Sequence, residues 1–394
     1  MKKQNTLRFV RWTILLAILI LTTVMGRMHQ IIKLYPPIDA FCPFGGLESL
    51  WALFRYQVLL KKIAWSSVIL LLTSVGTALI FRRSFCGNIC PLGFLQELFG
   101  MAGHKFFSKR FNLPPRADRI LRYVKYVVLI FFLALSWKTL TLVISPFDPW
   151  VAYHHIGTDE LFTKNLIGAI VLFSTMGLSI LSDRPFCRYL CPMGGFLALV
   201  SKIGFLRIKR DDEKCIDCGA CDLNCPAGLE ISKKIETKSV ECINCSECIN
   251  TCPIEDTLYY STPAKRHKPI KVSLILFGTL AIFVSVLSIT SLTKQFVWKA
   301  DTGLEKNVER LLYGPEKIHR DNQMIHIVQI FQIHPLYLKE QFKLESEDDY
   351  YKSFEELGIE VEDVQDLIYR VYDEAGLDPT QLLGGGKGCG GEDH

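Results

Sequence analysis

CIDCGACDLNCP, residues 215–226, and CINCSECINTCP, residues 242–253, decide how this 394-residue chain is read. Each has the form C-x2-C-x2-C-x3-C-P. Three thiols separated by two residues let one loop wrap three corners of a compact metal–sulfur core. The turn-forming residues between them let backbone N–H groups approach the sulfurs and offset their negative charge. The proline after the last cysteine fixes the chain direction and ends the loop, and Gly219 is expected to allow close backbone approach. A zinc site also uses C-x2-C pairs, but it needs four ligands and explains neither the third cysteine nor the C-P closing both strings. In bacterial proteins with this spacing the fourth cysteine of each string ligates the other cluster. Crossed ligation is therefore expected: Cys215, Cys218, Cys221 and Cys252 around one 4Fe-4S cluster, and Cys242, Cys245, Cys248 and Cys225 around the second.

Outward from these strings the chain is apolar in blocks. Composition, at 49% hydrophobic and 22% charged, does not separate a membrane protein from a soluble one. Distribution does, because apolar residues gather into runs near Phe9–Met25, Ile63–Phe81, Tyr123–Ile144, Asn165–Leu181 and Val272–Leu292. Each is close to the roughly 20 residues that cross a hydrocarbon core. Nine Lys/Arg stand from Arg82 to Lys125, around the loop that joins the second and third runs, against only Lys138 and Lys164 around the next loop, which places the nine-residue side in the cytoplasm. Lys2, Lys3, Arg8 and Arg11 then put the N-terminus inside, and Lys265, Arg266, Lys268 and Lys271 put the entry to the fifth run inside. The cysteine strings fall on the cytoplasmic side, where disulfides are disfavoured, and the tail falls outside. Arg27, Lys33, Arg55, Lys61 and Lys62 run against the rule. The first run has the basic start of a signal peptide but no A-x-A-like cleavage site, so an uncleaved anchor is expected.

A duplication is visible as well. RRSFCGNICPLGFL follows the second run and SDRPFCRYLCPMGGFL the fourth, so Phe85, Cys86, Cys90, Pro91 and Gly93 match Phe186, Cys187, Cys191, Pro192 and Gly194. Two helical hairpins in the same sense, each ending in F-C-x3-C-P-x-G at one membrane face, form a parallel repeat. If the hairpins pack side by side, Cys86, Cys90, Cys187 and Cys191 converge as four thiolates. That set suits a further cluster, a soft metal such as Cu(I), or redox-active disulfides, with buried structural thiols as the plain alternative.

The remaining signals are weaker. Cys42, in DAFCPFGGLE, reads as part of a structural turn, and His154 and His155 read as a solvated loop that could otherwise meet a quinol or a haem. From Thr293 onward 11 Lys/Arg stand against 21 Asp/Glu, so the tail is acidic and the remainder carries more than the overall net charge of +5. That basic remainder suits anionic lipid headgroups, and no nucleic-acid module is present. Apolar periodicity over Tyr350–Ala375 predicts a small helical domain, followed by the glycine-rich end GGGKGCGGEDH with Cys389.

Hairpin, F-C-x3-C-P, hairpin, PFCRYLCPMGGFLALVSKIGFLRIKRDDEKCIDCGACDLNCP and a second cluster string, in that order, resemble the NapH/NosR-type polyferredoxin membrane proteins over roughly residues 1–260. The resemblance implies a quinol-linked or respiratory electron-transfer subunit of the bacterial cytoplasmic membrane. It also implies that the C-x3-C-P elements serve electron passage between the membrane and the clusters. A related branch, resembling the cbb3-oxidase assembly factors, reduces copper instead. The chain lacks the outer flavin-binding domain of the NosR type, its tail reads helical rather than as an outer β-domain, and the short NapH type stops after the ferredoxin insert.

The expected fold is mainly α: polytopic membrane helices in about five spans, with an inserted two-cluster ferredoxin domain of small α+β type and a helical tail. The divisions are a membrane core (1–205), a ferredoxin-like domain (206–262), a fifth span (263–293), an acidic tail domain (294–383) and a flexible end (384–394). No general acid, base or nucleophile is evident, which points to an electron carrier between a quinol pool or cytoplasmic donor and a partner oxidoreductase. A copper-reducing assembly factor and a membrane redox regulator are the alternatives.

Overall fold

The computed structural model describes residues 2–31, 41–56, 64–106, 113–139, 143–262, 269–296 and 315–374, apart from 332, 334 and 345. Cys389, the glycine-rich end and the basic residues Lys265, Arg266 and Lys268 lie outside the described residues. The chain divides into two units, one holding most of the chain up to Val297 and one holding the tail.

Among the described residues the apolar part of the first unit is mainly helical. In chain order it contains α1 (Lys2–Ile31), α2 (Pro43–Tyr56), α3 (Ala64–Phe81), α4 (Ser84–Asn88), α5 (Pro91–Phe106), α6 (Pro115–Thr139), α7 (Pro149–His154), α8 (Glu160–Thr163), α9 (Leu166–Leu181), α10 (Pro185–Tyr189) and α11 (Pro192–Ser201). The insert contributes β1 (Arg207–Arg210), α12 (Ala220–Leu223), α13 (Glu247–Thr251) and β2 (Leu258–Ser261), and α14 (Val272–Leu292) follows. Six of these helices begin on proline, whose fixed φ suits the first helical position and whose missing N–H is not needed there. Among the described residues two helices, Thr6–Gln30 and Val272–Leu292, are long and apolar enough to cross a membrane. The third apolar run differs from its expected limits. Its helix begins at Pro115, ahead of the expected Tyr123, and is described as far as Thr139, residues 140–142 lying outside the described residues.

The repeat shows in the packing. α5, which follows the first C-x3-C-P, lies on α9 of the other repeat, and α11, which follows the second, lies on α6. Gly103 makes the first contact possible, because a Cβ there would overlap the carbonyl of Ile180. A shared core of Leu71, Ala78, Phe85, Ile89, Leu129, Met193, Leu197 and Phe283 brings α3, α6, α11 and α14 to the cysteine turns.

The insert is closed by one antiparallel ladder. β1 pairs with β2 in the register Arg207↔Ser261 to Arg210↔Leu258, so the two ends of the cysteine-rich segment are tied together. Leu206, Ile208, Ile231, Ile249, Leu258 and Tyr260 fill the space under it.

The second unit has its own core, with Met324, Ile327, Leu338, Phe354, Val364, Leu367 and Ile368 buried. The stretch patterned as a helical domain holds two helices: Phe354–Leu357 ends on Gly358 in a left-handed conformation, and Val361–Glu374 follows beyond it. Ser353 and Glu356 form a reciprocal capping box at the first piece.

Candidate iron-sulfur site

The two cysteine strings fold alike. Asp217 and Asn244, two residues after each first cysteine, have positive φ, and so do Gly219 and Ser246, four residues after it. One turn of helix then follows in each, α12 and α13. Gly219 takes this left-handed backbone and borders the cavity of the first string's leading cysteines. Ser246 takes the same conformation with a side chain, whose hydroxyl is 3.0 Å from Tyr260 Oη.

The folded strings line two cavities. One is bordered by Cys215, Cys218, Cys221 and Cys252. The other is bordered by Cys225, Cys242, Cys245 and Cys248. Among the described residues no three Cys, His, Asp or Glu side chains stand close enough to share one ion. Four thiols around an open space fit a group wider than one ion. Burial pushes the Cys225 thiol up to about 11 and Cys221 and Cys245 to about 12. Backbone N–H groups of Ala227 and Leu229 at Cys225, and of Asn244 at Cys242, act in the opposite direction.

The C-x3-C-P elements make a second cysteine group. Cys86 and Cys187 sit in α4 and α10, and Cys90 and Cys191 stand just ahead of α5 and α11. Cys191 caps α11, its sulfur accepting the Gly194 N–H at 3.2 Å, and the Gly93 N–H serves Cys90 in the same way. Gln96 Nε2 donates to Cys187 Sγ at 3.1 Å. The four thiols lie within electrostatic reach of one another: Cys191 feels Cys187, Cys86 and Cys90. Burial, and then the neighbouring Cys187 and Cys86, push Cys90 up to about 12.

The second string is seated directly on the first of these turns. A Cβ on Gly87, between Cys86 and Cys90, would overlap the carbonyl of Ile243 and stand 3.1 Å from the Cys245 nitrogen. Asn88 Nδ2 donates to Asn244 O at 3.3 Å, and Asn244 Nδ2 returns to Phe81 O at 2.7 Å. Buried ion pairs surround the seat. Arg11 makes a paired contact with Glu97 at 2.8 and 3.0 Å and donates to Gly87 O, and Arg184 Nη2 stands 2.9 Å from the same carboxylate. Arg83 lies 3.1 Å from Glu241, which Lys125 also meets. Arg8 Nε is 2.8 Å from Glu247 in the second string.

Sequence patterns pick out none of these partners. The one available signal is that Arg83 and Arg184 obey the same 101-residue offset as the cysteines.

Comparison with known proteins agrees with this geometry. A 4Fe-4S binding domain family matches residues 63–114 and again 165–211, one match on each C-x3-C-P repeat. A 4Fe-4S dicluster domain family matches residues 207–254, the insert. YccM of Escherichia coli, named for electron transport, is 32% identical over 272 residues, covering 67% of this chain and 75% of the relative. The chain belongs to the NapH/NosR-type ferredoxin proteins. The regulatory protein NosR of Pseudomonas aeruginosa is 29% identical over 180 residues, 44% of this chain and 24% of NosR. The methylamine utilization ferredoxin-type protein MauN of Methylobacillus flagellatus is 26% identical over 200 residues, 50% of this chain and 65% of MauN. No solved structure matches.

In this NapH/NosR-type chain the other candidate residues fall elsewhere. Cys42 Sγ is 3.9 Å from Asp148, which caps α7 through the Trp150 N–H at 2.8 Å, and burial pushes the thiol up. His154 is not in a solvated loop. It is buried edge-on against Trp150 and Tyr153, with ring centroids at 4.6 and 5.1 Å, and burial lowers it to about 3. His155 is held by Val151 O and Glu160.

Proposed function

We propose that this iron-sulfur protein is a multi-pass membrane electron carrier. It passes electrons between a quinol pool or cytoplasmic donor and a partner oxidoreductase through two 4Fe-4S clusters in a cytoplasmic insert. A third redox centre is held by Cys86, Cys90, Cys187 and Cys191. The single observation that carries this reading is the pairing of cavities: three cysteines of one string with the last cysteine of the other, twice. One-electron redox chemistry is what the bound clusters supply. The chain's own residues hold them by thiolate, direct backbone N–H groups at the sulfurs and exclude water from the second cavity, where Cys242, Cys245 and Cys248 are at most 7% exposed.

The five-span arrangement draws support from the outward faces of the helices. Ile20 and Leu21 on α1, Leu72 on α3, Ile130 on α6, Ile170 and Phe173 on α9 and Val284 on α14 are exposed apolar side chains, as a lipid-facing surface requires. The divisions at 205, 262, 293 and 383 follow the same reading. The copper-reducing alternative would use the same four C-x3-C-P cysteines, and the wiring reading is preferred because those cysteines lie beside the second cluster string.

The test is electron paramagnetic resonance with iron and acid-labile sulfide analysis of the full chain. Cys225→Ser is expected to remove the centre whose other ligands are Cys242, Cys245 and Cys248, and Cys252→Ser the other. Loss of the Cys215 centre in Cys225→Ser would refute crossed ligation. Cytoplasmic placement is checked by a reporter active only outside the cytoplasm, expected to fail after Arg210 and work after Lys294.

A further inference from the structure

Arg83 and Arg184 are related by the repeat, and each crosses to the other repeat's turn. Arg184 Nη1 donates to Cys86 O at 2.6 Å, and a Cβ on Gly93 would stand 2.9 Å from that same nitrogen. At the equivalent place, a Cβ on Gly194 would stand 2.9 Å from Arg83 Nη2 and 3.5 Å from Cys187 O. Glycine at both positions of C-P-x-G thus leaves room for the opposite guanidinium beside the cysteine turn. Both arginines are 1% exposed.

Bracing the fold does not account for this much buried charge. Glu97 is shared between Arg11 and Arg184, Glu247 between Arg8 and Arg11, and Glu241 between Arg83 and Lys125. In these pairs cations outnumber carboxylates. The excess faces the thiols: Arg83 acts on Cys86, Cys191 and Cys187, and Arg184 on Cys187, on Cys245 of the second string and on Cys90. Arg83 Nε and Arg184 Nε are buried donors without an acceptor. Buried positive charge in excess of its carboxylates is costly unless a further anion meets it. An iron–sulfur core held by four thiolates remains net negative in both oxidation states.

We propose that Arg83 and Arg184 form a twofold charge clamp, one guanidinium from each repeat, that receives the anionic tetrathiolate iron–sulfur group of Cys86, Cys90, Cys187 and Cys191 and raises its reduction potential. This rests on the reading of those cysteines as a redox centre. The arginines act as positioning residues: reduction adds one electron and no bond is made or broken, so a fixed nearby cation favours the reduced form.

The experiment is a redox titration followed by electron paramagnetic resonance, with iron analysis, on the full chain in detergent. It compares wild type with R83Q, R184Q, the lysine variants R83K and R184K, and G93A and G194A. Each glutamine variant is expected to lower the potential of the third centre, the double variant to lower it further, and each lysine variant to restore it. The alanine variants keep every charge but push the guanidiniums off the turns, so they shift the same centre in the same direction by less. They decide the matter where a glutamine variant fails to accumulate. A third centre unmoved in every variant that folds, or moved as far by lysine as by glutamine, overturns the clamp. Wild-type iron accounted for by the insert alone, and unchanged in a Cys86/Cys187 double serine variant, overturns the redox-centre reading itself, and the clamp with it.

Discussion

The two cysteine strings have the same spacing and the same backbone, yet they live in different surroundings. Around the first, Ile216 and Leu223 are 61% and 71% exposed and Cys218 is open to solvent. In the second, Ile243 and Ile249 are buried with the three leading cysteines. The motif fixes what is bound, and the neighbours fix where electrons can enter or leave. The second string rests on Gly87 beside the C-x3-C-P cysteines, so on the proposed reading it is the one that exchanges electrons with them. The first is left for a soluble face of a partner.

The strongest way to break this difference is to remove the carboxylate beneath the second string. Glu97→Gln leaves Arg11 and Arg184 buried with too little negative charge, and breaking such a buried pair costs about 3–5 kcal/mol. Thermal unfolding in detergent is expected to drop accordingly, with the second-string centre lost before the first. Acid should do the same. Burial pushes the Glu97 carboxyl up, but Arg11 and then Arg184 outweigh it and hold the group below its usual range. Its contribution is thus present above an unfolded pKa of about 4.3 and lost as pH falls through the lowered folded value. Wild type and the variant should converge in stability at low pH, and parallel curves would remove Glu97 from the account.

A smaller and more local change tests the seat itself. Valine at position 87 would place a Cβ over the Ile243 carbonyl, and such overpacking costs about 1–3 kcal/mol. Gly87→Val is expected to expose the second-string centre to chelators while the first-string centre keeps its spectrum. Equal lability of the two centres in the variant would confirm that the seat alone makes the strings unequal. An unchanged second string would mean that the buried ion pairs suffice.

Much of this was open to reading and some was not. The eight insert cysteines stand out because cluster spacing is local, and the C-x3-C-P pairs because a duplication can be aligned by eye. The offset that aligns them also aligns Arg83 with Arg184, but arginine ligates no metal, so nothing in a ligand search draws attention to it. Arg11 and Glu97 lie 86 residues apart, and no periodicity joins a first-helix arginine to a glutamate after the first cysteine turn. Gly87 looks like any turn glycine until the second string is packed against it. In the tail, apolar periodicity continues across Gly358 although the helix does not, because the left-handed glycine ends one helix without disturbing the apolar spacing.

The gentlest test concerns the first string's open side. Ile216 and Leu223 have little to lose on folding, since a side chain that stays exposed gains almost no burial. Changing each to serine should move stability by no more than about 0.5 kcal/mol. A docking partner would feel them differently, because exposed apolar side chains beside a cofactor are where water is expelled on contact. Electron exchange between the reduced full chain and an acceptor protein should therefore slow in the double variant by roughly tenfold, the effect of about 1.4 kcal/mol of lost docking. Exchange with a small inorganic acceptor, which needs no docked surface, should stay at the wild-type rate. If both rates hold, the partner approaches elsewhere and the exposure of the first string has another cause. If both fall together, the substitutions have damaged the cluster and not the surface.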